Sequence, residues 1–494
     1  MATFQSSTVQ SGNFYSVAIN GQYAVAGSGG GGGIYYSSDS GATWTNSLTS
    51  GNFYSVAING SYAIAGSFSD SGIYSSSNYG ATWTNSLTTG FFFSVAMYGP
   101  YAIAGSGSDL GIYFSSDYGA TWTPSNIQTS SFYSVAINGS YAVAGSINDL
   151  GIYSSSDSGA TWTPSNIQTG SFYSVAINGS YAVAGNDNDS GIYSSSDYGA
   201  TWTNSSVSTG SFYSVAINGS YAVAGSGSNS GIYSSSDSGA TWTRSNVKTG
   251  FFYSVAINGS YAVAGSYSNS GIYSSSDSGA TWTRSNVKTG DFNSVAINDN
   301  NFSIAGSVSY SGIYYTPSPL CLNHDTKILC LTQEGEKYVA IQDLRQGDLV
   351  KSYLHGFRKI QCIGKNTMIN NPKHWNLSMW KMEKTDSNDL IKDLTVLGGH
   401  SLLVDSLSEE IKEKYKENNC FDGEFPTIDG KLLLLAGFNE SFVQLKDTNV
   451  YTYYQLILEN EGDVDRRFGI WANGVLVETP TEEQFHKIKW CKMD

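Results

Sequence analysis

The block FYSVAING starts at Phe14 and returns at Phe53, Phe92, Phe132, Phe172, Phe212 and Phe252, with a worn eighth copy from Phe292. A spacing of 39 or 40 residues kept this long confines residues 1–316 to repetition of one supersecondary unit. Each unit reads as four strands. FYSVAI comes first, and the NG after it predicts a two-residue hairpin turn with positive φ. YAVAGS follows, then a variable loop, GIYSSS, a DSGA turn and TWT. Four short strands per unit is the pattern of a β-propeller blade, which buries its faces against its neighbours.

Closure sets the blade number. The first three strands occur eight times but TWT only seven times after them. At the other end of the chain, Ala2-Thr3-Phe4-Gln5 matches ATWT, with Phe4 in the Trp place. The N-terminal segment is therefore expected to complete the last blade beside Gly312–Thr316, which removes an exposed seam. Eight blades are expected, seven being the alternative if one blade is displaced.

The turn SSDSGATW resembles the Asp-box (BNR repeat) of sialidase-like propellers, S-x-D-x-G-x-T-W. Its Asp positions are Asp39, Asp117, Asp157, Asp197, Asp237 and Asp277, with Asn78 in the second copy. The short carboxylate or amide is expected to cap turn N–H groups, the Gly to take positive φ, and the Trp (Trp44, Trp162) to pack between blades. The box is read as structural. Sialidases clamp their sugar with three arginines and use a Tyr nucleophile with a Glu. This stretch has two Arg, Arg244 and Arg284, and no Glu, so it is not read as a sialidase.

The loops between the second and third strands, and between blades, are expected on one face and carry most of the variation: Gly30–Gly33, Ser67–Ser71, Asn186–Ser190, Ser266–Ser270. That face is expected to bind a glycan or a protein. Asp187 and Asp189 offer oxygen ligands to a cation, though a solvated acidic loop is preferred. The NGS triplets at Asn59, Asn138, Asn178, Asn218 and Asn258 are read as hairpin turns rather than glycosylation sites.

Composition changes near PSPLC. All five Cys and all five His lie at or after position 321, whereas residues 1–320 hold only four basic side chains, Arg244, Lys248, Arg284 and Lys288. The expected division is 1–316 propeller, 317–320 linker and 321–494 a second domain. That domain reads as mostly β, with a short solvated helix over Ser408–Asn418. Cys330, Cys362, Cys420 and Cys491 form no C-x-x-C pair, so no metal and no cofactor are expected. A net charge of −15 argues against nucleic acid as partner. No apolar run approaches the ~20 residues of a membrane span, and MATFQSSTVQS has no signal-peptide character. A cytoplasmic or virion-associated location with reduced thiols is expected.

Four blocks stand out in the second domain: CLNHDTKILCLT from Cys321 followed by Ile341–Val350; DLTVLGGHSLLVD, Asp393–Asp405; YYQLILEN; and FGIWANGVLVE. In this order, with a Cys at the junction, they resemble the Hint (hedgehog/intein) autoprocessing domain over residues 321–480. They also resemble the Hint domains fused to repeat regions in giant DNA viruses.

The resemblance implies that the Cys321 sulfur attacks the Leu320 carbonyl to form a thioester, helped by the high effective molarity of an intramolecular reaction. It gives His400 the role of general acid–base, for which an ordinary imidazole pKa is suited. Backbone N–H groups around Gly398–Gly399 are candidate oxyanion donors. Three departures matter. Leu397 stands where the family has Thr or Ser, with Thr395 two positions off. Gln455 stands where an Asp is common. The aligned strand ends Val477-Glu478-Thr479-Pro480 without the His-Asn that splicing requires, so only cleavage is expected. The alternative is an interaction protein with an inactive Hint domain, in which Cys321 is an inert linker thiol and His400 a core histidine. Cys330 and Cys362 are read as core residues and His324 as an exposed side chain or a second base.

Overall fold

In the strand Phe14–Asn20, Phe14 and Val17 are buried while the residues between them are part-exposed. This alternation recurs in every repeat and drives eight separate four-stranded antiparallel sheets. The protein, seen in a computed structural model, is described over residues 4–492 apart from 70, 108–109, 148–149, 188–189, 299–301, 310, 317–321, 371, 373–377, 418–424, 426, 464–465, 483–484 and 486–490. The chain divides into two compact units, Met1–Thr316 and Pro317–Asp494.

The first unit is an eight-bladed β-propeller. A ring of hydrogen bonds joins its innermost strands. The Ser55 hydroxyl accepts the Val95 N–H at 3.0 Å, and the same bond passes from blade to blade until Ser294 accepts Val17 N–H at 2.9 Å. The eighth sheet runs Phe292–Ile297, Ser303–Ser307, Ile313–Tyr315 and then Gln5–Ser6, with Gln5 opposite Tyr315. Phe4 sits among Val263, Ile272, Phe292 and Val295, as Trp282 sits among Val223, Ile232, Phe252 and Val255. Its backbone is clamped by Asn286 at 2.8 and 2.7 Å, as Asn246 clamps Trp282. The YAVAGS glycine is required by this stacking. A Cβ on Gly105 would lie 2.7 Å from the Phe132 carbonyl oxygen of the next blade.

Two local details differ from the sequence reading. Asn20 pairs with Tyr23, so the hairpin turn is Gly21-Gln22, with φ +58° at the glycine, and Asn20 belongs to the strand. Its amide oxygen accepts the Gly60 N–H of the next hairpin at 3.2 Å. In the Asp-box, the residue before the glycine also takes positive φ, for example Ser158 at +61°.

The second unit is an antiparallel assembly around one core that includes Leu322, Ile328, Cys330, Ile363, Leu394, Val396, Tyr454 and Val477. Its longest pairing joins Phe357–Ile369 to Val450–Leu458. The short strand Leu322–Asn323 lies between Val450–Leu458 and Leu394–Leu397. The helix spans Glu409–Glu417. It is not wholly solvated: Tyr415 is buried against Leu407, Leu434 and Phe438, and its hydroxyl donates to the Leu433 carbonyl at 2.8 Å.

Candidate functional site

In the second unit the strand Leu394–Leu397 runs into a tight turn in which His400 N–H bonds the Leu397 carbonyl at 2.9 Å. The chain then continues as the strand Ser401–Val404. This turn drops the imidazole of His400 into the interior, 1 % exposed. Neither ring nitrogen has a hydrogen-bond partner among the described residues. Burial alone pushes its pKa down to about 3, so the ring is neutral. The titration near neutrality expected from the sequence is thus replaced by a buried, neutral imidazole.

Leu322, the residue after Cys321, pairs with Val396 on the strand leading into this turn and with Tyr454 on the facing strand. Cys321 and Leu320 themselves lie outside the described residues, as does Cys420. Of the candidate oxyanion donors, Gly398 N–H is already given to the Ser378 carbonyl at 2.9 Å, leaving Gly399 of the pair. Leu397 is packed against Met379 and Tyr453, and Thr395 pairs with Lys381. Gln455 is buried on the strand opposite Gly364.

Two residues at this site escaped the sequence reading. Glu478, at the end of the strand Val475–Glu478, accepts the Ser401 N–H at 3.0 Å and pairs with Arg467 at 2.7 Å. Burial raises the Glu478 pKa, against the opposing pull of Arg467 and the Ser401 N–H. A Glu ending the apolar run VLVE was the available signal. Nothing along the chain hints that it meets the residue after His400.

The remaining candidates differ in burial. Cys330 is core, and burial, with Asp348 adding, pushes its thiol up to about 12. Cys362, expected in the core, is only partly buried. His324 is half exposed, with Nδ1 3.1 Å from the Tyr454 hydroxyl.

On the propeller, the Asp-box is a closed local network. Asp157 Oδ1 accepts the Thr161 N–H at 2.9 Å and the Ser155 hydroxyl at 2.8 Å, and Oδ2 accepts the Thr161 hydroxyl at 2.6 Å. Burial acts to raise the Asp157 pKa, but these bonds outweigh it and hold the carboxyl below its ordinary value. Trp162 caps the turn by donating to the Gly159 carbonyl at 2.9 Å and bridges to Ile103 and Ile112 of the preceding blade. The variable loops do share one face: Gly33 N–H in the loop between the second and third strands bonds Gly51 between blades. Asp187 lies there, its backbone carbonyl accepting the Ser211 hydroxyl, while Asp189 lies outside the described residues.

No family model and no curated protein matches the chain. Among solved structures, the computationally designed Ika8 protein is 10 % identical, with a TM-score of 0.53 over 64 % of this chain and 99 % of its own. YCF48 from Cyanidioschyzon merolae is 15 % identical, with a TM-score of 0.41 over 64 % and 98 %. YCF48 bound to D1 peptide is 15 % identical, with a TM-score of 0.42 over 53 % and 93 %. The first likeness is one of fold alone. No helix among the described residues is long and apolar enough to cross a membrane, which says nothing of a β-barrel.

Proposed function

We propose that the second unit is a Hint-type autoprocessing domain that cleaves the Leu320–Cys321 bond and releases a propeller that binds a glycan or protein. The observation that carries this reading is His400. A fully buried imidazole with both nitrogens unpaired among the described residues costs stability, and a catalytic task accounts for that cost.

In the proposed step, the Cys321 thiol gives its proton to neutral His400 as sulfur bonds to the Leu320 carbonyl carbon. The imidazolium then hands the proton to the Cys321 nitrogen as the C–N bond breaks. Burial lowers the His400 pKa, which weakens the ring as a base toward the thiol and makes the imidazolium, once formed, a ready acid toward the amide nitrogen. Water next attacks the thioester, freeing the Leu320 carboxylate and restoring the thiol. Glu478 and Arg467 position the Ser401 backbone beside His400.

Leu397 favours a second reading, an inert domain in an interaction protein. Its side chain is held in an apolar cluster and supplies no hydroxyl.

Intact mass of the purified chain with and without dithiothreitol or hydroxylamine, beside Cys321→Ala and His400→Ala, decides between them. Thiol-accelerated cleavage before Cys321, lost in both variants, supports autoprocessing. A full-length chain indifferent to thiols supports the inert domain.

A further inference from the structure

Every innermost propeller strand carries a β-bulge at the residue after its first Phe. Phe132 pairs with Ser146 and Ser134 with Gly145, which leaves Tyr133 as the extra residue. The same shift occurs in all eight blades. A bulge re-aims its side chain, and here it gathers Tyr15, Tyr54, Phe93, Tyr133, Tyr173, Tyr213 and Tyr253 into a crown. Successive ring centroids are 4.2 Å apart for Tyr15–Tyr54 and Phe93–Tyr133, 4.9 Å for Tyr133–Tyr173, 5.2 Å for Tyr173–Tyr213 and 5.1 Å for Tyr213–Tyr253. Phe68 bridges Tyr54 to Phe93 at 4.3 and 5.6 Å. Asn293 holds the eighth place, and its buried side-chain oxygen has no partner among the described residues.

The crown lies on the variable-loop face. The loop residue after the second strand covers it: a Cβ on Gly227 would lie 2.7 Å from the Tyr213 ring, and Tyr267 stacks on Tyr253 at 4.8 Å. This covering position is Gly29, Phe68, Gly107, Ile147, Asp187, Gly227, Tyr267 and Val308 around the ring. One blade alone therefore places a charge there. Burial raises the pKa of the Tyr213, Tyr173 and Tyr253 phenols, and the nearby Asp187 carboxylate adds to the rise in all three. A carboxylate has room for about four hydrogen bonds. The propeller's two arginines are far out on the outermost strands, Thr243–Arg244 and Thr283–Arg284.

We infer that this crown is a binding site for a guanidinium or ammonium group, most suitably an arginine side chain presented by a protein partner. The inference rests on the reading of the propeller as a binding module and names the chemistry it selects. A sugar would need an exposed ring face to stack on, but Tyr15 stacks with Tyr54 and Tyr173 with Tyr213, while Phe68 and Tyr267 stack on Tyr54 and Tyr253. What is left, among the described residues at this covering position, is a set of phenolic hydroxyls able to accept and the Asp187 carboxylate. That combination matches a planar cation carrying five N–H donors.

The test uses the full chain and saturation-transfer NMR with four probes: Ac-Gly-Arg-Gly-NH2, its lysine and citrulline counterparts, and cellobiose. Saturation of the arginine side chain is expected, with none for citrulline, the neutral isostere. Asp187→Asn is expected to weaken arginine binding about tenfold, the worth of a charge-assisted hydrogen bond, with an unchanged melting temperature. Tyr213→Phe, which removes one hydroxyl beside Asp187 but keeps the ring, is expected to retain binding. Equal binding of arginine and citrulline, or indifference to Asp187→Asn, overturns the inference. Cellobiose binding without arginine binding overturns it while leaving the propeller a binding module. Silence from all four probes counts against both.

Discussion

At the scale of single residues, the Asp-box shows how little chemistry a turn needs. In the second blade Asn78 replaces the Asp, yet its Oδ1 accepts Thr82 N–H and the Ser76 hydroxyl, both at 2.9 Å, while its Nδ2 donates to Thr82 Oγ1 at 3.0 Å. The turn needs acceptors rather than a charge. Asp157→Asn is therefore expected to be nearly neutral, whereas Asp157→Ala, which strands the Thr161 N–H, should cost about 1–2 kcal/mol. Urea melts of both variants check this, and equal losses would contradict the acceptor argument. Cys330 gives a second residue-scale expectation. Held near 12 and buried, its thiol should resist iodoacetamide in the folded chain and react only on unfolding, as peptide mass mapping would reveal.

At the scale of elements, the strand Gln5–Ser6 closes the ring and Phe4 anchors it. Replacing residues 2–7 by a flexible stretch should lower the melting temperature. Phe4→Ala alone should cost about 3–5 kcal/mol, the usual loss for a buried aromatic. An unchanged melt in either case would show that the seam is held by the inner strands alone. The strand Leu394–Leu397 poses a different trade. Leu397→Thr would supply the hydroxyl that the proposed Hint alignment places at this position and should speed any cleavage. It also removes a side chain packed on Met379 and Tyr453, so the same variant should melt earlier, by about 2 kcal/mol. Slower cleavage in the variant, at a temperature where it remains folded, would refute the block alignment around His400.

At the scale of the whole molecule, the two units should answer acid differently. His400 has a folded pKa near 3, below the ordinary 6.5. Between these values the unfolded chain binds the extra proton, so stability falls as pH drops through 6.5 and goes on falling towards 3. The carboxyls of Asp117, Asp157 and Asp197 are also held low, but their unfolded value is 3.8, so their contribution is lost only as pH falls below that. Thermal melts from about pH 7 to 3 should show the second unit weakening first, and His400→Phe should flatten its pH dependence. A propeller transition that weakens first would refute the assignment.

The blade number was legible because it depends on counting: strand alternation and turn residues are local, and the shortfall of one TWT points to the other end of the chain. The helix near Glu409 was legible from its charge pattern, though not Tyr415, whose burial depends on Leu434 and Phe438 arriving from elsewhere. His400 and Leu397 were found through neighbouring letters, but what surrounds them came only from the fold. Burial decides that the imidazole is neutral, and Glu478, 77 residues beyond Ser401, reaches it through strand pairing. The Tyr of each FYS was visible along the chain as one more alternating residue. Only the bulge, repeated around a closed ring, turns those residues into a crown and sets one carboxylate over it. By itself, then, the sequence determined the repeat, its strands and how many blades close. The tertiary structure alone decided which distant groups meet, because periodicity is a property of neighbours along the chain and a site is a property of neighbours in space.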